Sequence, residues 1–180
     1  GRTHLLMYAV MRFGKSFTAM SCAKKMDAKL VVVVSAKADV KTEWKKTVES
    51  LKNFDGYEFA DSEQLSRDYS LVSKAQAARK KIVVCLTLQD LCSPEIKERH
   101  KDLFSKRIDL LIVDETHFGA RAEHYGKVLP PVAIKPRQEA KYDADSMDAV
   151  EEQVKQLNAK IQLHLSGTPY RILMGDEFSD

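Results

Sequence analysis

Leu30-Val31-Val32-Val33-Val34-Ser35 restricts the fold more than any other segment of this chain. Four consecutive valines are stiff at χ1 and favour an extended backbone. No polar residue alternates with them, so both faces of the strand must be buried. Strands of that kind belong to parallel sheets covered by helices. Similar apolar runs recur at 5–9, 81–88, 108–114 and 161–165, with a shorter one at 57–60. Helix-patterned segments separate them at 16–26, 39–53, 71–80, 89–104 and 120–129. In the second of these, Asp39 can serve as the N-cap, and Val40, Trp44, Val48 and Leu51 share one face. In 89–104, Ser93-Pro94-Glu95 is a good helix start. The alternation predicts an α/β fold: a mainly parallel central sheet with helices on both faces.

Pro130, Pro131 and Pro136 interrupt the pattern, and a helical stripe of Met147, Val150, Val154 and Leu157 follows. Residues 130–158 therefore read as an insertion, with Lys135, Arg137 and Lys141 ahead of an acidic helix. A solvated insertion packed by that stripe is the simpler reading; a contact surface for DNA or a partner is the other. No repeat or linker divides the 180 residues, so one domain spans 1–180. Net charge is +3, which neither requires nor excludes a nucleic-acid partner. No apolar run reaches the ~20 residues that cross a bilayer. Three cysteines without metal-ligand spacing fit a reducing cytoplasm, and Cys22 and Cys85 read as small core residues. Both ends read as cuts within a longer protein.

Three short motifs carry chemistry. The first is Ala9-Val10-Met11-Arg12-Phe13-Gly14-Lys15-Ser16, between the first strand and the first helix. Phosphate binding needs backbone N–H groups converging at a helix N-terminus, where the dipole favours anions. Gly14 permits close backbone approach, Lys15 reaches the β and γ phosphates, and the Ser16 hydroxyl suits magnesium. Arg12, Phe13 and Phe17 complete the loop as candidate nucleotide contacts. Ala9 stands where the usual G-x-x-x-x-G-K-S/T pattern has its first glycine.

The second motif is Asp114-Glu115-Thr116-His117, closing the strand at 108–114. Ligands bind at strand C-termini in open parallel sheets. Adjacent carboxylates there are costly to desolvate without a cation. Magnesium is the economical cation: Asp114 would hold it and Glu115 would orient or deprotonate a water. The third motif, Ser166-Gly167-Thr168-Pro169, follows the last strand.

This ordered set resembles the first RecA-like domain of superfamily 2 helicases and translocases of the DEAD/DEAH type. Within that group it resembles the bacterial and phage branch that includes type I and type III restriction-enzyme motors. The likeness runs from residue 5 to residue 171. It implies ATP and Mg2+ as cofactors and Lys15, Asp114 and Glu115 as the catalytic set. It also implies that His117, Ser166 and Thr168 couple ATP state to nucleic-acid grip. Ser35, Ala36 and Lys37, with Thr87, Leu88 and Gln89, hold the places that touch the nucleic-acid backbone in the family. Hydroxyl and lysine side chains suit such phosphate contacts, although ordinary loop chemistry uses them as well.

The resemblance further implies DNA ahead of RNA as track, and a nuclease or restriction subunit as a possible companion. The upstream adenine clamp of many relatives has no counterpart here. Neither does the second RecA-like domain, and Arg171 is no substitute for its arginine fingers. A chain like this taken alone is expected to bind ATP weakly and turn it over slowly. A nucleotide-controlled binding module without motor activity would use the same pocket and stays open as an alternative. Another P-loop class, such as a kinase, sits poorly with the second and third motifs.

Overall fold

The computed structural model describes residues 3–8, 14–35, 40–87, 90–91, 100–114 and 157–166. In chain order these contain β1 (His4–Tyr8), α1 (Lys15–Lys25), β2 (Leu30–Ser35) and α2 (Val40–Ser50). A 3-10 turn at Lys52–Phe54 leads to β3 (Tyr57–Asp61), α3 (Ser62–Arg67), α4 (Leu71–Ala77) and β4 (Lys81–Thr87). Then come α5 (Lys101–Phe104), β5 (Ile108–Asp114) and β6 (Ala159–Ser166). The six strands form one sheet in the order β1-β6-β5-β2-β4-β3. Every pairing in it is parallel.

The valine run of β2 lies between β5 and β4, in the interior of the sheet. Because side chains alternate along a strand, each strand supplies two cores. Val31 and Val33 join Val83, Leu110, Ile112, Leu163 and Leu165 beneath Ala19, Met20 and Ala23 of α1 and Trp44 and Val48 of α2. Leu30, Val32 and Val34 join Val84, Leu86 and Leu111 beneath Leu65 of α3, Val72 and Ala75 of α4 and Leu103 of α5. Helices on both faces, as predicted, explain why β2 has no polar alternation.

Two helices stop in the same way. At the end of α1, Ala28 N–H bonds Ala23 C=O and Asp27 N–H bonds Lys24 C=O. At the end of α4, Lys80 N–H bonds Ala75 C=O and Arg79 N–H bonds Gln76 C=O. These are paired C-terminal capping bonds, and they require a left-handed residue, here Asp27 (φ 55°) and Arg79 (φ 56°). Each turn feeds directly into a buried strand, so α4 ends at Ala77 rather than at residue 80.

Some expectations need correction: Leu51, predicted on the apolar face of the second helix, lies beyond the end of α2 in an extended conformation and is exposed. Cys22 is exposed rather than a core residue, because it lies on the solvent face of α1. Cys85 is buried as expected, and burial pushes its thiol up to about 12, so it stays neutral and inert. The short helix α3 has no counterpart in the predicted elements. Its signal is a capping box: Asp61 accepts from Gln64 N–H at 2.9 Å, and the Gln64 side chain accepts from Asp61 N–H at 3.1 Å. Apolar periodicity over six residues is too short to reveal such a helix.

Asp109 ties the N-terminal ends of three adjacent strands together. Its Oδ2 accepts from the N–H groups of Lys29 and Leu30 at 2.9 and 3.1 Å, and its Oδ1 meets Lys160 Nζ at 2.5 Å. Burial acts to raise its pKa, but the Lys160 ammonium and the two N–H groups outweigh that and hold the carboxyl below its usual value. A depressed pKa means the stabilisation is full above the unfolded value of about 3.9 and is lost as pH falls through the folded value. Asp109→Ala is expected to cost roughly 1–2 kcal/mol near neutral pH. Urea melts of both proteins should show that difference shrinking below about pH 4. A pH-independent difference would mean the charge contributes nothing.

The predicted helix at 120–129, all of the one at 145–157 except Leu157, and all but the last two residues of the 130–158 insertion lie outside the described residues. Among the described residues, no helix is long and apolar enough to cross a membrane.

Candidate nucleotide site

A parallel sheet brings all its strand C-termini to one edge, and the ladder registers say which residues meet there. Ser35 is opposite Thr87 on one side and Asp114 on the other. Asp114 is opposite Leu165, and Ser166 is opposite Tyr8. Residues far apart in sequence therefore share one rim, with β1 leading towards α1 beside it.

The Asp114 carboxylate follows the alternation of Leu110 and Ile112, so it points to the face covered by α1 and α2. There Lys15 Nζ lies 3.7 Å from Asp114 Oδ1, an ion pair too long to be a hydrogen bond. The pair is largely shielded, with Lys15 14 % and Asp114 7 % exposed. Trp44, fully buried in α2, donates its indole N–H to Asp114 Oδ2 at 3.2 Å. Ser16 is 5 % exposed, and its hydroxyl lies 3.3 Å from Glu43 Oε1 and 3.0 Å from Thr47 Oγ1. Helical spacing accounts for this. Glu43 and Thr47 are four apart and face α1, while Trp44 and Val48 are four apart and face the sheet.

Gly14 stands at the N-cap of α1 with φ 71° and ψ 36°. That left-handed turn is easy for glycine and strained for other residues. The first turn of the 11-residue helix carries no acidic side chain. Its leading N–H groups have no intrahelical acceptor by construction, so an anion is favoured there. A hard divalent cation also fits, because Ser16 and Asp114 offer oxygen donors only. The residues present therefore suit both a nucleotide phosphate and magnesium.

Of the predicted site residues, Gly14, Lys15, Ser16 and Asp114 converge. The Phe17 ring is 41 % exposed and packs on Phe54 with centroids 5.4 Å apart, which leaves its backbone N–H as its offering to the loop. Ser35 is buried. Thr87 Oγ1 accepts from Asp90 N–H at 3.2 Å while Asp90 Oδ2 accepts from Thr87 N–H at 2.9 Å, so Thr87 acts as a reciprocal cap. The Ser166 backbone ends β6 at the rim. Ala9, Arg12, Phe13, Lys37, Gln89, Glu115, His117 and Thr168 lie outside the described residues.

Sequence reasoning missed Glu43 and Thr47 and read Trp44 only as a core residue. One signal was available for Trp44: a buried indole N–H requires an acceptor.

A parallel sheet of this order with a Gly-Lys-Ser turn facing an aspartate is a RecA-like P-loop arrangement, and the family match that follows makes it one of the superfamily 2 helicase type. A family model described as type III restriction enzyme, res subunit, matches residues 2–171. The chain belongs to that family. It is 27 % identical to the putative type II restriction enzyme and methyltransferase RM.MpnORF110P C-terminus of Mycoplasma pneumoniae. That alignment covers 97 % of this chain and 26 % of the relative. Among solved structures it resembles the Sulfolobus solfataricus SWI2/SNF2 ATPase core in complex with dsDNA, with TM-score 0.53 and 17 % identity. This likeness of fold covers 92 % of the chain and 28 % of that structure. The chain thus spans about a quarter of the length of either protein.

Proposed function

We propose that this domain is the ATP-binding half of a nucleic-acid-dependent motor, a helicase or translocase with DNA as track, in a restriction or defence system of the cytoplasm. The observation that carries the reading is the approach of Lys15 to Asp114 across 3.7 Å, joining the first and second motifs at the C-terminal rim of a parallel sheet. Membership in the restriction-subunit family supports the context, and the dsDNA-bound ATPase core of like fold supports the track.

In this reading the N-terminal turn of α1 receives the β and γ phosphates, and Lys15 turns from Asp114 towards the γ phosphate. Ser16 and Asp114 would hold magnesium, which would offset phosphate charge. Glu115 accepts a proton from the attacking water or orients it. His117, Ser166 and Thr168 relay nucleotide state to the nucleic-acid grip. Thr87, with Lys37 and Gln89, meets the nucleic-acid backbone, which positions the protein without reading sequence, while Ser35, buried at the end of β2, makes no direct contact with it. A second RecA-like domain closes the pocket and supplies arginine fingers, and a nuclease or restriction subunit is its companion in the assembly.

The test is steady-state ATP turnover by the full-length protein that carries this domain and a second RecA-like domain, with duplex DNA, single-stranded DNA, RNA or no nucleic acid. Duplex DNA is expected to raise the rate at least tenfold over the rate without nucleic acid. ATP binding without any nucleic-acid-dependent turnover would replace the motor with a nucleotide-controlled binding module.

A further inference from the structure

We propose that the first half of α2 is a positioning element for the metal end of the site, with Trp44 and Glu43 aiming the two magnesium-facing residues. The inference rests on the nucleotide reading of the site. Two adjacent residues of one helix reach both candidate ligands: Trp44 bonds Asp114 Oδ2 at 3.2 Å, and Glu43 meets the Ser16 hydroxyl at 3.3 Å. Thr47, one turn on, meets the same hydroxyl at 3.0 Å.

The chemistry of each contact points the same way. An indole N–H is a donor only, so it can bind the carboxylate but never compete for a cation. It engages Oδ2 and sets the rotation of the carboxylate plane, directing Oδ1 to the Lys15 side. A donor that is fully buried holds that rotation without solvent exchange. The serine hydroxyl has one proton and two lone pairs. Donating the proton to Glu43 leaves a lone pair for the metal and makes the oxygen a better donor. Hydrogen bonds from outside the ligand set commonly change metal affinity by about 10–100-fold.

Trp44 is also the only tryptophan of the 180 residues, which makes it a built-in reporter. The test measures ADP affinity by calorimetry in EDTA and in excess Mg2+, for wild type, Trp44→Phe and Glu43→Gln. Wild type should gain affinity with Mg2+. Trp44→Phe should lose about tenfold of that gain while its affinity in EDTA stays within about twofold of wild type. Glu43→Gln should lose about threefold of the gain. A merely structural role for Trp44 would weaken both affinities together.

Emission spectra supply the second readout, because wild type minus Trp44→Phe isolates the Trp44 signal. At saturating ADP, Mg2+ should shift or quench it. If Trp44→Phe does not fold, the wild-type emission response and Glu43→Gln decide the matter. An unchanged Mg2+ gain in the folded variants, or emission indifferent to Mg2+, would overturn the inference alone. No ADP binding by wild type would overturn the nucleotide reading along with it.

Discussion

Lys15→Ala is expected to lower ATP turnover by about 10²–10³-fold, the range lost when one charge-stabilising donor leaves a catalytic site. The side chain pairs with Asp114 at 3.7 Å and lies close to the N-terminal turn of α1, so it can exchange one anion for another. Removing it takes away the cation that would oppose charge on the transferred phosphate. Folding should barely change, because the Trp44 bond still holds the Asp114 carboxylate. Lys15→Arg is not a conservative control: the guanidinium keeps the charge but brings a broad planar fork where a point charge fits. Single-turnover hydrolysis together with a thermal melt makes the distinction. Loss of turnover with an unchanged melting temperature supports the assignment, and turnover within threefold of wild type would remove Lys15 from the catalytic set.

Leu111→Ala should destabilise the domain by about 2–5 kcal/mol. Leu111 is fully buried on β5, an interior strand between β6 and β2. It faces the core beneath α3, α4 and α5, opposite Val32 of β2 and in one cluster with Val34 and Leu86. Neighbours bonded into a rigid sheet cannot collapse into the space a truncated side chain leaves. For a domain of this size the melting temperature should fall by about 6–15 °C. Calorimetric melts would check it. A cost under about 1 kcal/mol would mean that this face of the sheet is not packed as one core.

The sheet was legible because its signals are local and repeated. The valines of β2 and the runs in β4 and β5 admit little besides buried strands, and all three appear within a residue of the predicted bounds. The rim was legible for the same reason, since a motif that follows a buried parallel strand must emerge at its C-terminal end. The meeting of Lys15, Ser16 and Asp114 near that rim thus agrees with what type and spacing suggest. The short helix α3 escaped because one capping box, not periodicity, specifies it. Cys22 was misplaced because residues flanking an apolar stripe are hard to assign to its inner or outer side when the helix has 11 residues.

Glu43, Trp44 and Thr47 mark the limit of that legibility. Their own segment shows a helix with one apolar stripe, and nothing in it names a partner 70 residues away. Trp44 meets Asp114 only because β2 pairs with β5 and α2 packs back over the same face as α1. Strand type, helix type and the residues able to bind phosphate follow from short-range patterns of shape, burial and charge, which the chain carries along its length. Which of those residues touch depends on strand order and crossover. Those are set by how the apolar faces of all the elements bury one another at once, a condition that no single segment contains.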